Sequence, residues 1–315
     1  MLDLYRFPFP AMGSRCEVRL YARDEASAAS CAQAAIIDVR RLDAKYSRYR
    51  ADSLTAEINR AAAAGGAIDI DDETATLLDY AATCYEQSDG LFDITSGVLR
   101  EAWGAELESL PDADVLARLL ARVGWSKVRW SRPRLAFGNP GMEIDFGGVV
   151  KEYAADRAAV ICEEAGFRYG LVDLGGDINI IGSHADGSPW IVGIQHPRAA
   201  DAVMATLELS QGAVATSGDY ERFVVIDGKR CGHILSPLTG RPVRGLAGVS
   251  VVAEKCVVAG SAATIAMLME ERGPAWLAEL GLPHVWMDQE LRVGGSCAGR
   301  FGGAESGKTL VGAVT

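Results

Sequence analysis

The chain lacks most features that would assign it at a glance. It has no apolar run long enough to span a bilayer, and its first residues, Met1-Leu2-Asp3-Leu4-Tyr5-Arg6-Phe7-Pro8, have no basic start leading into an apolar stretch. Those absences read as a soluble, cytoplasmic protein with no membrane segment. The seven cysteines, at 16, 31, 84, 162, 231, 256 and 297, are odd in number and show neither a CxxC nor a His-Cys metal spacing. That argues against a disulfide framework or a structural zinc site and fits free thiols. Basic residues are in deficit, 31 Lys and Arg against 42 Asp and Glu, and the resulting net charge of −11 argues against a nucleic-acid partner. Histidines are few, four in all; there is no internal repeat and no linker rich in Pro or Ser.

What is present suits one large fold. With 49% apolar residues in 315, a substantial buried core is available without covalent staples. Helical spacing of apolar residues predicts helices over 26–45, 72–88, 151–165 and 256–269, the first two expected to lie on a sheet. Period-two and β-branched runs predict strands at 67–70, 127–130, 142–145, 170–174, 177–181, 190–194, 203–209, 222–226 and 248–252. Strands spaced as hairpins, with few helices between them, indicate an α+β fold with mixed or antiparallel sheets. The reading is a single domain over 1–302, with 303–315 as a small, polar, frayed tail.

Three glycine-bracketed clusters carry the chemistry. Asp145-Phe146-Gly147-Gly148 leads into a helix that starts beside Lys151, and a helix N-terminus favours anions. Asp173-Leu174-Gly175-Gly176-Asp177 brackets a glycine pair with carboxylates, and Thr216-Ser217-Gly218-Asp219-Tyr220 sets hydroxyls, a carboxylate and a phenol between two strands. Turns of this kind suit a polyphosphate and its cation, while simple tight turns explain the first two nearly as well. His233, in Gly-His-Ile-Leu-Ser-Pro, sits among turn formers and could act as a base or a donor. Leu91-Phe92-Asp93-Ile94-Thr95 and Tyr46-Ser47-Arg48-Tyr49 pair aromatic rings with polar groups, as gripping a planar ring or a ribose requires; a buried turn and an exposed helix end are the plainer alternatives. His184 and His284 show no partner in the sequence.

In order along the chain, Ala11-Met12-Gly13-Ser14, Ser47-Arg48-Tyr49-Arg50 with Asn59, Ser88 to Gly97, Asp145 to Asp156, Val172 to Ile178, Trp190 to Pro197, Ala215 to Tyr220 and His233 to Pro242 resemble the FAD:protein FMN transferases, the ApbE family. The resemblance implies a two-lobed, T-fold-related α+β architecture that binds FAD with Mg²⁺, moves FMN to a Thr or Ser hydroxyl of a target flavoprotein and releases AMP. By position it implies that Met12, Tyr49, Leu91, Phe92, Asp93, Asp145, Lys151, Thr216, Ser217, Tyr220 and the backbone near Leu235 contact FAD. It further implies that His233 and Lys151 serve catalysis and that Gly148 (through its carbonyl) and Thr264 hold the metal. The chain departs from the pattern at three places: Gly260 where the family has a metal-binding Asp, Glu152 where it has Gly, and Ser236 where it has Asp or Asn. The metal site is therefore expected to be altered, and Gly260→Asp to strengthen Mg²⁺ dependence. A flavin-nucleotide-binding homologue without transfer, or a pyrophosphatase giving FMN and AMP, are the alternatives.

Overall fold

The structure is a computed structural model and describes residues 1–104, 107 and 109–298. The expected tail at 303–315 lies outside the described residues. An eight-stranded antiparallel sheet forms the centre, in the spatial order Asp3–Ala11, Ser14–Ala22, Gly170–Leu174, Asp177–Gly182, Gly212–Gly218, Leu246–Ala253, His284–Asp288 and Val293–Gly294. Helices Glu25–Tyr46, Val150–Glu164 and Cys256–Leu268 cover one face, and together with Asp72–Gln87 they enclose the main core. The other face is covered by the long hairpin Trp190–His196/Ala199–Leu209, whose Trp190, Val192, Ile194 and Leu207 pack on Leu171, Ile178 and Val214. A separate, smaller apolar cluster gathers Val98, Leu99, Leu116 and Leu119 around helix Ala113–Leu120. The α+β, antiparallel expectation is borne out.

Why these segments fold so is local. Helix Cys256–Leu268 is alanine-rich and apolar on most sides, as a helix buried against both the sheet and Val150–Glu164 must be. Asp24, Ser53 and Asp71 each accept a backbone N–H three residues on and start their helices. Helix Asp72–Gln87 rests on helix Cys256–Leu268, with the Tyr80 hydroxyl donating to the Val257 carbonyl at 3.0 Å, and on the small sheet 67–69/128–131/134–137 through Trp130 to Asp79.

Two expectations are corrected. Residues 142–145 are not a strand: Asn59 supplies both partners that a neighbouring strand would, donating to the Ile144 carbonyl at 3.0 Å and accepting its N–H at 2.8 Å. Thr216 and Ser217 do not lie between strands but on one, Gly212–Gly218, where they pair with Ser250 and Val249.

Candidate active site

The three glycine clusters, far apart in sequence, meet at one end of the central sheet. Lys151, in the first turn of its helix, reaches across so that its Nζ stands 2.7 Å from Asp177 Oδ2. Asp177 Oδ1 in turn receives the Thr216 N–H at 3.4 Å, so one carboxylate touches both other clusters. The Lys151–Asp177 contact is a charge contact more than a directed hydrogen bond, since Oδ2 has no well-aligned donor. Burial pushes the Lys151 ammonium pKa down, but Asp177, Glu152 and Glu221 outweigh it and hold the group charged. Met12-Gly13, both with positive φ, turn the first hairpin toward the same place: Gly13 lies against the Arg222 guanidinium, and Gly175 against Ser14. The Met12 N–H is tied to Asp43 at 2.9 Å.

Asp145 caps the turn 146–148, accepting the Gly147 N–H at 2.9 Å, and is ion-paired with Arg48. Tyr49, next in sequence, is 79% exposed with the Arg48 guanidinium over its ring at 5.3 Å, an aromatic face free to stack. Phe92 and Leu91 are buried, and the Phe92 ring edge sits where a Cβ on Gly148 would be, 3.2 Å away. Asp93 accepts from the Thr95 N–H and hydroxyl through Oδ1 and from the Trp125 N–H through Oδ2, so it holds the segment's shape. Tyr220 lies flat on two glycines paired across strands, Gly218 and Gly248; a Cβ on Gly218 would sit 2.3 Å from Tyr220 Cε1. Burial raises the Tyr220 phenol pKa, with Glu221, Asp177 and Asp219 acting the same way, so the ring is neutral. Asp219 is locked by Arg198 at 2.6 and 2.8 Å and serves the fold.

His233 is exposed at the rim. The surrounding protein lowers its pKa, and the positive charges of Arg222, Lys151 and Arg48 add to that, leaving a neutral imidazole at pH 7. Its Nδ1 lies 3.3 Å from the Arg222 carbonyl. Leu235 bridges to Pro242, and Ser236 Oγ accepts the Leu238 and Thr239 N–H groups. A turn-capping side chain is what this position requires, and Ser, Asp and Asn all provide one. His184 bonds the Tyr21 hydroxyl at 2.8 Å and His284 the Leu282 carbonyl, both outside the site.

On helix Cys256–Leu268, Thr264 Oγ1 bonds Ser217 Oγ at 2.8 Å. Gly260 is not an empty position: the Glu152 side chain occupies the space beside it, so an Asp there would meet Glu152 before any ligand, contrary to the sequence expectation for Gly260→Asp. Glu152 Oε2 is buried without a hydrogen-bond partner, and burial first, then Asp177, raises the carboxyl pKa to about 8. A hard cation fits such donors, an unpartnered carboxylate oxygen with hydroxyls nearby. The sequence placed Asp177 and Arg48 within candidate clusters and marked Glu152 as a departure from the family pattern; Arg222 was not singled out, and the contacts of all four appear only in three dimensions. Two cavities of about 700 and 680 Å³ lie elsewhere, around His284 and around Asn179.

An α+β scaffold gathers glycine turns, a lysine–carboxylate contact and an exposed aromatic ring, an arrangement whose chemistry suits phosphate groups. The chain belongs to the ApbE family, whose profile matches residues 12–286. It is 30% identical over 283 residues to a FAD:protein FMN transferase of Rhodobacter capsulatus, covering 88% of this chain and 54% of that protein. It is 32% identical over 240 residues to the one of Chlamydia pneumoniae, 74% of each. The chain thus spans about half the length of the first relative and about three quarters of the second. Among solved structures, the ApbE protein of Thermotoga maritima superposes with a TM-score of 0.86 at 30% identity, covering 93% of this chain and 97% of that one. The flavin transferase ApbE of Vibrio cholerae gives 0.84 at 25% identity, covering 95% and 98%.

Proposed function

We propose that this chain is a FAD:protein FMN transferase that moves the FMN half of FAD to a Thr or Ser hydroxyl of a target flavoprotein and releases AMP. The observation that carries the reading is the convergence of Lys151, Asp177 and the Thr216–Tyr220 strand end at one site in a chain of this family. Relatives of similar fold are named flavin transferases.

In this reading the acceptor hydroxyl oxygen bonds to the FMN phosphorus as the bond from that phosphorus to the bridging oxygen breaks. AMP leaves with the bridging oxygen, and His233 takes the hydroxyl proton. Little covalent help is needed; alignment and charge neutralisation dominate. Lys151 supplies a fixed positive charge to the pyrophosphate. Tyr49 and Phe92 offer ring faces and edges to the flavin, Met12, Leu91 and the Leu235 backbone line the cleft, and Ser217, Thr216 and Tyr220 close its floor. Asp145 positions Arg48 and the turn preceding Lys151. A divalent cation such as Mg²⁺, held at Thr264 and the Gly148 carbonyl, would neutralise the phosphate oxygens.

The test is incubation with FAD, Mg²⁺ and a flavoprotein acceptor domain, followed by AMP quantification and intact mass of the acceptor. The expected result is AMP and an acceptor heavier by one FMN, in equal amounts. AMP without acceptor modification would point to hydrolysis, and FAD binding without AMP under any cation would refute both reactions.

A further inference from the structure

Helices Val150–Glu164 and Cys256–Leu268 are registered against each other by Asp156, whose two carboxylate oxygens accept the N–H groups of Cys256 at 2.7 Å and Val257 at 3.0 Å. Glu152 is one turn before Asp156 and Gly260 one turn after Cys256, so this clamp brings Glu152 over Gly260. A Cβ built on Gly260 would stand 2.5 Å from Glu152 Cγ, 2.7 Å from Oε1 and 2.9 Å from Cδ. Only a residue without a side chain at 260 lets the carboxylate lie there.

The carboxylate is poorly provided for. The residue is 8% exposed, and Oε2 has no hydrogen-bond partner. The charges around it are Asp177, Glu221 and Lys151, two negative and one positive, and Lys151 is already engaged with Asp177. Burying an ionised carboxyl beside like charges is costly, so the group either keeps its proton or pairs with a cation. No group of three His, Cys, Asp or Glu side chains gathers among the described residues, so a cation here would draw on a single carboxylate, neutral oxygens and ligand phosphates. That donor set is the one Mg²⁺ commonly takes. One turn along from Gly260 on the same helix face stands Thr264, and the 146–148 turn packs against both helices.

We infer that Glu152 is the anionic ligand of a divalent cation in this chain, its carboxylate reaching from the neighbouring helix into the space that a side chain on residue 260 would occupy. Glu152 and Gly260 then form one unit: a long acid on one helix and a bare backbone on the other. The inference deepens the proposed function, resting on it for the identity of the phosphate ligand and not for the binding of the cation.

The experiment titrates Mn²⁺ into metal-free protein, alone and with ADP as the pyrophosphate probe. It follows free Mn²⁺ by electron paramagnetic resonance and, separately, the rise in Tm that Mn²⁺ produces. Wild-type protein should bind one Mn²⁺, E152Q should bind it at least tenfold more weakly with the Tm rise lost, and E152G/G260D should regain affinity to within a few-fold of wild type. Should E152Q fail to fold, E152G and E152G/G260D make the same comparison, loss in the first and recovery in the second. Equal Mn²⁺ affinity in wild type and E152Q, or no Mn²⁺ binding by wild type with or without ADP, would overturn the inference. If Mn²⁺ binding follows this pattern while no FMN reaches an acceptor, the inference stands and the transferase reading falls.

Discussion

Removing the Lys151 ammonium separates what it does for the fold from what it does for the reaction. In K151M the Asp177 carboxylate keeps its place at 3% exposure but loses its ion-pair partner, and among the described residues it keeps a long contact from the Thr216 N–H at 3.4 Å. Taking one partner from a buried ion pair costs about 3–5 kcal/mol, because the other charge remains buried and unpaired. The Lys151 side chain is 23% exposed, so solvent already screens the pair and the lower end, about 3 kcal/mol, applies. At about 2 °C per kcal/mol for a chain of this size, Tm should fall by about 6 °C. Replacing the stranded carboxylate by its neutral isostere in K151M/D177N should restore all but about 1 kcal/mol. Activity should not return with it, since the proposed reaction draws on the Lys151 charge at the pyrophosphate and that charge is still missing. The assay is urea unfolding of wild type, both single variants and the double variant, alongside AMP release. If K151M unfolds at the wild-type midpoint, the pair does not carry the energy argued here. If K151M/D177N recovers turnover as well as stability, Lys151 serves the fold alone.

Other consequences follow from the same geometry. Glu73 is held by Arg41 at 2.7 Å and Lys45 at 2.8 Å, and these contacts, Arg41 first, bring its pKa from 4.5 to about 2. A depressed acid contributes stability that is full above its unfolded pKa and lost as pH falls through the folded one, so E73Q should cost roughly 2–3 kcal/mol at pH 7, a cost that shrinks as pH falls from 4.5 and vanishes below about pH 2, checked by denaturation across that range. The His233 pKa is lowered from 6.5, so AMP release should be flat above pH 7 and decline only below 6.5, and H233N should lower kcat and abolish that acidic limb; an unchanged profile would remove His233 from the reaction. G218A should drive the Tyr220 ring off its seat, costing about 1–3 kcal/mol by overpacking and weakening FAD binding, measured by fluorescence quenching.

Much of the architecture was legible because apolar periodicity reports burial. Strand 170–174 and the helices near 151 and 256 were read to within a residue or so at each end. The first hairpin, Asp3–Ala11 with Ser14–Ala22, went unassigned, and Pro8 and Pro10 show why. Proline cannot donate in a ladder and reads as a break, yet this strand is the edge of the sheet, where the missing N–H faces away from a partner. The loop 142–145 failed in the opposite way, since its apolar pattern is real but the backbone bonds are taken by the Asn59 side chain. Among the site residues, Asp93 shows the limit of composition: its neighbours mark an aromatic, polar turn, and only the bonds to Thr95 and Trp125 show that its oxygens are used internally.

The metal question turns on a relation no single position contains. Read one at a time against the pattern that the family resemblance implies, Glu152 and Gly260 are two departures, an acid in place of Gly and Gly in place of a metal-binding Asp. They are 108 positions apart, and nothing periodic links them. The Asp156 clamp makes them adjacent, and adjacency reverses the meaning of each: without the glycine, the Glu152 carboxylate would collide with the helix that carries Thr264, and without Glu152, a glycine in a buried helix would leave a void and forgo helix propensity of about 1 kcal/mol against alanine. G260D alone, made against an intact Glu152, therefore introduces a second acid into a filled space next to Asp177. Crowding and like-charge repulsion should lower stability, and any gain in cation binding should require the Glu152 side chain to leave.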